Sequence, residues 1–233
     1  MKKENFLNKI IRKLKKLFSK SKINKTLGKA SPCVTLMSES KSETEGEFSP
    51  SATLGIQSQS YTKGDLSPSA TLGYNSKSKT DGWFSPSATL EENSKSQTQG
   101  VCSPCTTLGK ISESRTEGSY SHSATFGDHS QSYTKGESAY SVTLGKYSLS
   151  STKGKNSITC TVGNRSIVKA HHGLVIIVKY DKNNNPLTAY SALVGGKILD
   201  VTIEPDKYYG FDKIGKFRMF TEDEVLEIVR PFY

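Results

Sequence analysis

Four cysteines and four histidines are the residues of this 233-residue chain whose types could carry redox or metal chemistry. Cys102 and Cys105 frame a C-x-x-C. A redox role for that pair needs a thioredoxin-like strand–helix–strand setting, and the flanking sequence offers none. A zinc role needs a second pair of ligands at matching spacing. A simpler account follows from register: Cys33 and Cys105 take the place of Ser51, Ser69 and Ser87, and Cys102 takes the place of Phe84 and Tyr120. His171 and His172 are adjacent, and neighbours on a strand face opposite ways, which does not suit one metal. With His122 and His129 they form a weak set. The glycines carry no G-K-[ST] signature of a phosphate loop, and no serine sits in a nucleophile motif. These residues imply neither an enzyme nor a cofactor or metal site.

The elements that hold these residues are repeats. Glycines recur at 46, 55, 64, 73, 82, 100, 109, 118, 127, 136, 145, 154 and 163, nine apart except where Glu91 intervenes. Extended back to Met37, fifteen slots follow without insertion. Thr stands two residues before each marker, Ser, Cys or Thr four before, and Ser six before, with Ala139 the exception. The unit is S-x-S-x-T-x-G-x-x, and such self-similarity marks a solenoid. The residue before the marker alternates between apolar and polar (Leu36, Glu45, Leu54, Lys63, Leu72, Asp81), so the true period is eighteen.

Side chains on a strand alternate between faces. Ser, Ser, Thr and Gly therefore share one face and the variable residues the other. Charges fill the variable face in every second slot, so that face points outward and the hydroxyls inward. The predicted fold is mainly β: a β-solenoid of about eight 18-residue rungs, with Gly at the corners where φ is positive. An N-terminal amphipathic helix and a small C-terminal antiparallel β domain complete it. The predicted boundaries are 1–29, 30–170 and 171–233. The calcium-binding nonapeptide needs Asp where this chain has Thr, and an ice-binding face needs outward Thr.

The apolar half-coils place Leu36, Leu54, Leu72, Leu90, Leu108, Phe126, Leu144 and Val162 in one outer stripe, with Ala52, Ala70, Ala88 and Ala124 beside it. Eight rungs at a strand spacing of ~4.8 Å span roughly 35–40 Å. An apolar stripe of that length approaches the size that marks an interface. The expectation is a homo-oligomer, dimer or trimer, that covers it; the alternative is cover by the chain's own ends. Phe48, Phe84 and Tyr120, at the corners, add to such packing.

The net charge of +10 is confined to the start. Residues 1–29 hold eleven of the 32 Lys and Arg and one of the 22 acids, leaving 21 of each elsewhere. Within residues 5–22, Leu7, Ile10, Ile11, Leu14 and Phe18 recur at helical spacing, with Lys9, Arg12, Lys13, Lys15 and Lys16 filling much of the rest. A basic amphipathic helix attaches to an anionic membrane surface, to nucleic acid phosphates or to a virion body. It also fits a short coiled coil or a cap on the solenoid. No apolar run reads as a secretory signal or as a spanning helix.

Past residue 165 the composition changes. Strands are expected at Leu174–Tyr180, 187–194, 198–203 and 216–220, with a turn at 181–186. Thr221 and Glu224 make a capping box before a short helix, Glu222–Val229. The segment "NSITCTVGNRSIVKAHHGLVIIVKYD" followed by "GGKILDVTIEPDKYYGF" resembles an uncharacterised domain family of phages and bacteria, which stacks Ser/Ala/Thr/Gly nonapeptides and closes with a strand-rich segment. The likeness runs from about 31 to 217 and rests on 174–181, 195–196 and 204–209. The repeats are also similar to head repeats of trimeric adhesins and phage fibres. The resemblance implies architecture and a phage-like setting, and supplies no catalytic residue. The function expected is a non-enzymatic structural or attachment protein. The alternative is a host-directed binding protein that docks a partner on the apolar face and membrane or nucleic acid through the helix.

Overall fold

The computed structural model describes residues 23–230. Seventeen short strands, β1 (Ile23–Thr26) to β17 (Ile167–Ala170), alternate between two parallel sheets. Odd-numbered strands stack in one sheet and even-numbered strands in the other, each paired with the strand eighteen residues on, as Ser42 with Ser60 and Ser51 with Ser69. The β18 strand (Leu174–Tyr180) continues the even sheet in parallel, giving a β-solenoid of about nine turns. The extra turn comes from the start. The β1 strand lies at 23–26, inside the stretch assigned from sequence to helix and linker, and pairs with β3 (Lys41–Thr44). Thr26-Leu27-Gly28 is one further repeat slot. The expected N-terminal helix lies outside the described residues.

The fixed residues are small because the interior is a hydroxyl lattice. Along the first serine column, backbone N–H groups donate to the Oγ one coil ahead, as Ser49 to Ser67 at 2.8 Å and Ser67 to Ser85 at 2.9 Å, the run breaking where Ala139 faces Ser121. The Oγ atoms donate back to the carbonyl of the marker slot, as Ser67 to Gly46 at 2.9 Å and Ser58 to Met37 at 3.0 Å. The second serine column zips the two sheets together: Ser96 donates to Ser87, Ser87 to Ser78 and Ser78 to Ser69, each at 2.9 Å. Chains of this kind strengthen one another in a dry interior.

Glycine is needed for a different reason than the corner conformation expected of it. The left-handed residue is two places after the glycine slot, at Phe48 (φ 55°), Leu66 (55°) and Phe84 (52°), for example. A Cβ on Gly64 would stand 1.9 Å from the carbonyl oxygen of Gly46, and one on Gly100 would stand 1.8 Å from that of Gly82. The coils are simply too close there for a side chain.

The C-terminal strands extend both solenoid sheets. The β19 strand (Pro186–Leu193) pairs antiparallel with β18, and β22 (Tyr208–Phe211) pairs antiparallel with β17, followed by β23 (Phe217–Phe220). Between them β20 (Lys197–Ile198) and β21 (Val201–Thr202) form a two-stranded sheet where one strand was expected, because Leu199 turns left-handed at φ 52°. Here the interior becomes hydrocarbon: Val168, Val175, Ile177, Ile198, Ile203 and Tyr209 bury together. The helix α1 (Glu222–Val229) starts at the expected capping box and buries Val225 and Val229 against Ile167 and Phe220. The closing strands cover the C-terminal edge of each parallel sheet, which a solenoid would otherwise leave open.

Candidate interaction face

The two sheets present opposite surfaces. On the odd sheet every coil carries charged outward residues, and many pair along or between coils: Lys79 with Asp81 at 3.2 Å, Lys95 with Glu113 at 2.7 Å, Arg115 with Glu117 at 2.8 Å. Such exposed pairs contribute little individually, but they make a solvated face. The even sheet carries no Asp, Glu, Lys or Arg at any outward position from β2 (Cys33–Thr35) to β16 (Ile158–Thr161). Its surface has three columns. One is Pro32, Pro50, Pro68, Pro86 and Pro104, continued by His122 and Tyr140. The middle one is Val34, Ala52, Ala70, Ala88, Thr106, Ala124 and Val142, in continuous register. The third is the stripe read from the sequence. Leu36, Leu54, Leu72, Leu90, Leu108, Phe126 and Leu144 stand about half exposed, and Val162 is partly buried. The attachment-helix residues, Leu7, Ile10, Ile11, Leu14, Phe18, Lys9, Arg12, Lys13, Lys15 and Lys16, lie outside the described residues.

The proline column was not singled out in the sequence, and it has a structural cause. In the odd sheet, the carbonyl of the first serine accepts a ladder bond from the next coil, as Ser40 from Gln59 at 2.9 Å. In the even sheet the corresponding donor is proline, which has no N–H. The freed carbonyls accept threonine hydroxyls of the odd sheet, as Ser67 accepts from Thr62 at 2.6 Å. The same bond persists where His122 and Tyr140 stand in place of proline, from Thr98 to Ser103 at 2.6 Å and from Thr116 to Ser121 at 2.9 Å. The odd-sheet Thr134, whose coil carries Ala139 in the first serine column, has no partner for its Oγ1. The even-sheet threonines have no freed carbonyl to use. Thr53, Thr71, Thr89, Thr107, Thr125, Thr143 and Thr161 hold buried Oγ1 atoms without a hydrogen-bond partner.

The residues weighed for chemistry are dispersed along the solenoid. All four cysteines are free. Cys105 is buried in its serine slot, and burial pushes its thiol up to about 11. Cys102 holds a left-handed corner at φ 54°. His122 stacks on Tyr140 at 4.5 Å, and burial holds its pKa below the ordinary imidazole value. His171 and His172 leave the strand, with rings edge to face at 4.3 Å, so they do not diverge as strand neighbours would. His171 Nδ1 lies 2.6 Å from Asp206. Among the described residues no group of three His, Cys, Asp or Glu side chains gathers as a metal site would require. A cleft of about 660 Å³ separates α1 and the β22–β23 hairpin from the stacked His129, Tyr147 and Arg165. Arg218, in its lining, is committed to Glu224 at 2.7 Å, which holds that carboxyl down to about 2.

Comparison with protein-family models, with curated proteins and with solved structures finds no match to this chain.

Proposed function

We propose that this chain is a non-enzymatic structural and attachment protein, a rigid β-solenoid that self-associates through its even sheet and is tethered by its basic N-terminal segment. The observation that carries the reading is the contrast between the two outer faces of one coil. Eight successive coils keep charge on one sheet and exclude it from the other, although both sheets share the same interior residues. Removing a flat apolar face from water is favourable in proportion to its area, and the free solenoid leaves that face in water. Two copies of a chargeless face meet without opposing like charges.

The tether is proposed from composition: eleven basic residues within the first 29, suited to an anionic partner such as a membrane surface, nucleic acid or an acidic virion body. The likeness of the repeats to phage nonapeptide domains and fibre head repeats supports a phage or prophage setting. Because β1 begins at Ile23, the proper truncation removes residues 1–22 and leaves the solenoid whole. Sedimentation with phosphatidylserine vesicles and with duplex DNA, in low and in physiological salt, tests the tether. The full chain is expected to co-sediment with at least one of them and the truncated chain with neither. Equal behaviour of the two chains would remove the attachment role from the N-terminal segment.

A further inference from the structure

At both edges of the coil the chain turns through a left-handed residue, and the two edges fill that position differently. At the edge leading from even to odd strands the positions are mostly polar, including Glu39, Gln57, Asn75 and Asn93. Asn is the ordinary non-glycine choice there. At the edge leading from odd to even strands, successive coils use Phe48, Leu66, Phe84, Cys102 and Tyr120, and only then Ser138 and Asn156. A bulky side chain in the left-handed region costs roughly 1–2 kcal/mol. Burial does not offset that cost in the single chain: Phe48 is 48 % exposed, Leu66 47 %, Phe84 55 % and Tyr120 59 %. Ile111 and Tyr147, the bulky apolar exceptions at the other edge, are partly buried, and Tyr147 stacks between His129 and Arg165. Phe48 carries the Lys29 ammonium 5.4 Å from its ring.

This row borders the proline column directly, since one buried serine separates Phe48 from Pro50 and Phe84 from Pro86. The even face alone, roughly 38 Å by 13 Å from strand spacing and rise, offers about 500 Å² per copy. Two copies then bury about 1,000 Å², short of the roughly 1,200 Å² at which stable specific interfaces begin. Five coils of the corner row add roughly 130 Å² per copy, which carries the total into that range.

We infer that the row Phe48–Leu66–Phe84–Tyr120 is the anchoring edge of the contact through which a second copy of this chain packs. The inference rests on the self-association proposed above and assigns its strongest contacts to the strained corners rather than to the leucine stripe. Large aromatic anchors dominate interfaces in general, and among the solenoid corners the large apolar left-handed residues that stand exposed are those of this row.

Asparagine separates the two roles of the row, because it accepts the left-handed conformation and removes the apolar surface. The experiment compares the full-length protein with F48N/F84N/Y120N and with L72E/L108E by sedimentation equilibrium and thermal unfolding. The expected result is self-association of the wild type, weakened at least tenfold in the asparagine variant, whose unfolding temperature at monomeric concentration is unchanged or higher. Association unchanged by the asparagines but broken by L72E/L108E would overturn the corner assignment and leave the even face as the interface. A lowered unfolding temperature in the asparagine variant would also overturn it, since the row would then serve the fold. A wild type that is monomeric at every concentration would remove the self-association reading and this inference with it.

Discussion

The odd and even halves of each coil share inward residues and differ in almost everything else. Both put Ser, Ser, Thr and Gly inside. The odd half spends its outward positions on Lys, Glu and Gln; the even half uses Pro, Ala and Leu. The odd threonines donate to the first-serine carbonyls of the even half, so the odd Oγ1 atoms are largely paired and the even ones are left unpaired. One half is fitted to water on its outer side, and the other presents an uncharged, largely apolar face. The shared interior teaches that the hydroxyl lattice dictates the coil, while the outer residues are free to specify what the coil touches.

The sharpest way to break this picture is at the edges. Every slot of the odd-to-even edge, from Gly28 to Gly154, is glycine, whereas the other edge already carries Met37 and Glu91. Gly100→Ala places a Cβ 1.8 Å from a carbonyl oxygen and is expected to cost about 3 kcal/mol or more, read by chemical denaturation. Gly109→Ala, on the edge that already carries Glu91, places a Cβ 2.1 Å from the Glu91 carbonyl oxygen and is expected to cost a similar amount. A cost near zero at either position would show that the coils part to admit a side chain.

The outer faces come next. L72E/L108E is expected to weaken self-association at least a hundredfold, about 2.7 kcal/mol, while K63E/K135E on the odd face leaves it unchanged. Loss of association from the odd-face pair would reverse the assignment of faces.

The interior difference gives a smaller and more specific test. Thr62→Val removes the hydroxyl that pairs with Ser67 and leaves a buried carbonyl unpaired, which costs roughly 1–2 kcal/mol. Thr71→Val removes a buried hydroxyl that has no partner, and is expected to be neutral or stabilising in the same denaturation assay. The smallest effect is one of pH. Glu224, held near 2 by Arg218 and the Thr221 backbone, contributes fully above its unfolded pKa, near 4.5. Its contribution fades as pH falls from there toward 2, because the unfolded chain takes up the proton first. A shallow loss of stability over that window, absent in Glu224→Gln, is the expected signature.

The period of eighteen, the inward hydroxyls and the apolar stripe were legible because they depend on side-chain alternation, which a sequence displays directly. The capping box at Thr221 and Glu224 was legible for a similar reason, since both its partners lie within one turn. The first coil was missed because Ile23–Thr26 lacks the serines of the repeat and sits among lysines, so charge hid its Thr-x-Gly ending. The role of glycine was misplaced because close approach between coils is a contact across eighteen residues, invisible in the local pattern that suggests a corner. The proline column is visible as Ser-Pro five times over, from Ser31-Pro32 to Ser103-Pro104. Its meaning depends on which carbonyl loses its donor, and only the pairing of coils reveals that.

The measurement that tests the central claim most directly is sedimentation equilibrium of the full-length protein beside L72E/L108E over a wide concentration range. The account requires the wild type to reach a whole-number multiple of the 25.5 kDa chain mass and the variant to remain at that mass. A wild type that stays at 25.5 kDa throughout, or a variant that assembles as the wild type does, would contradict it.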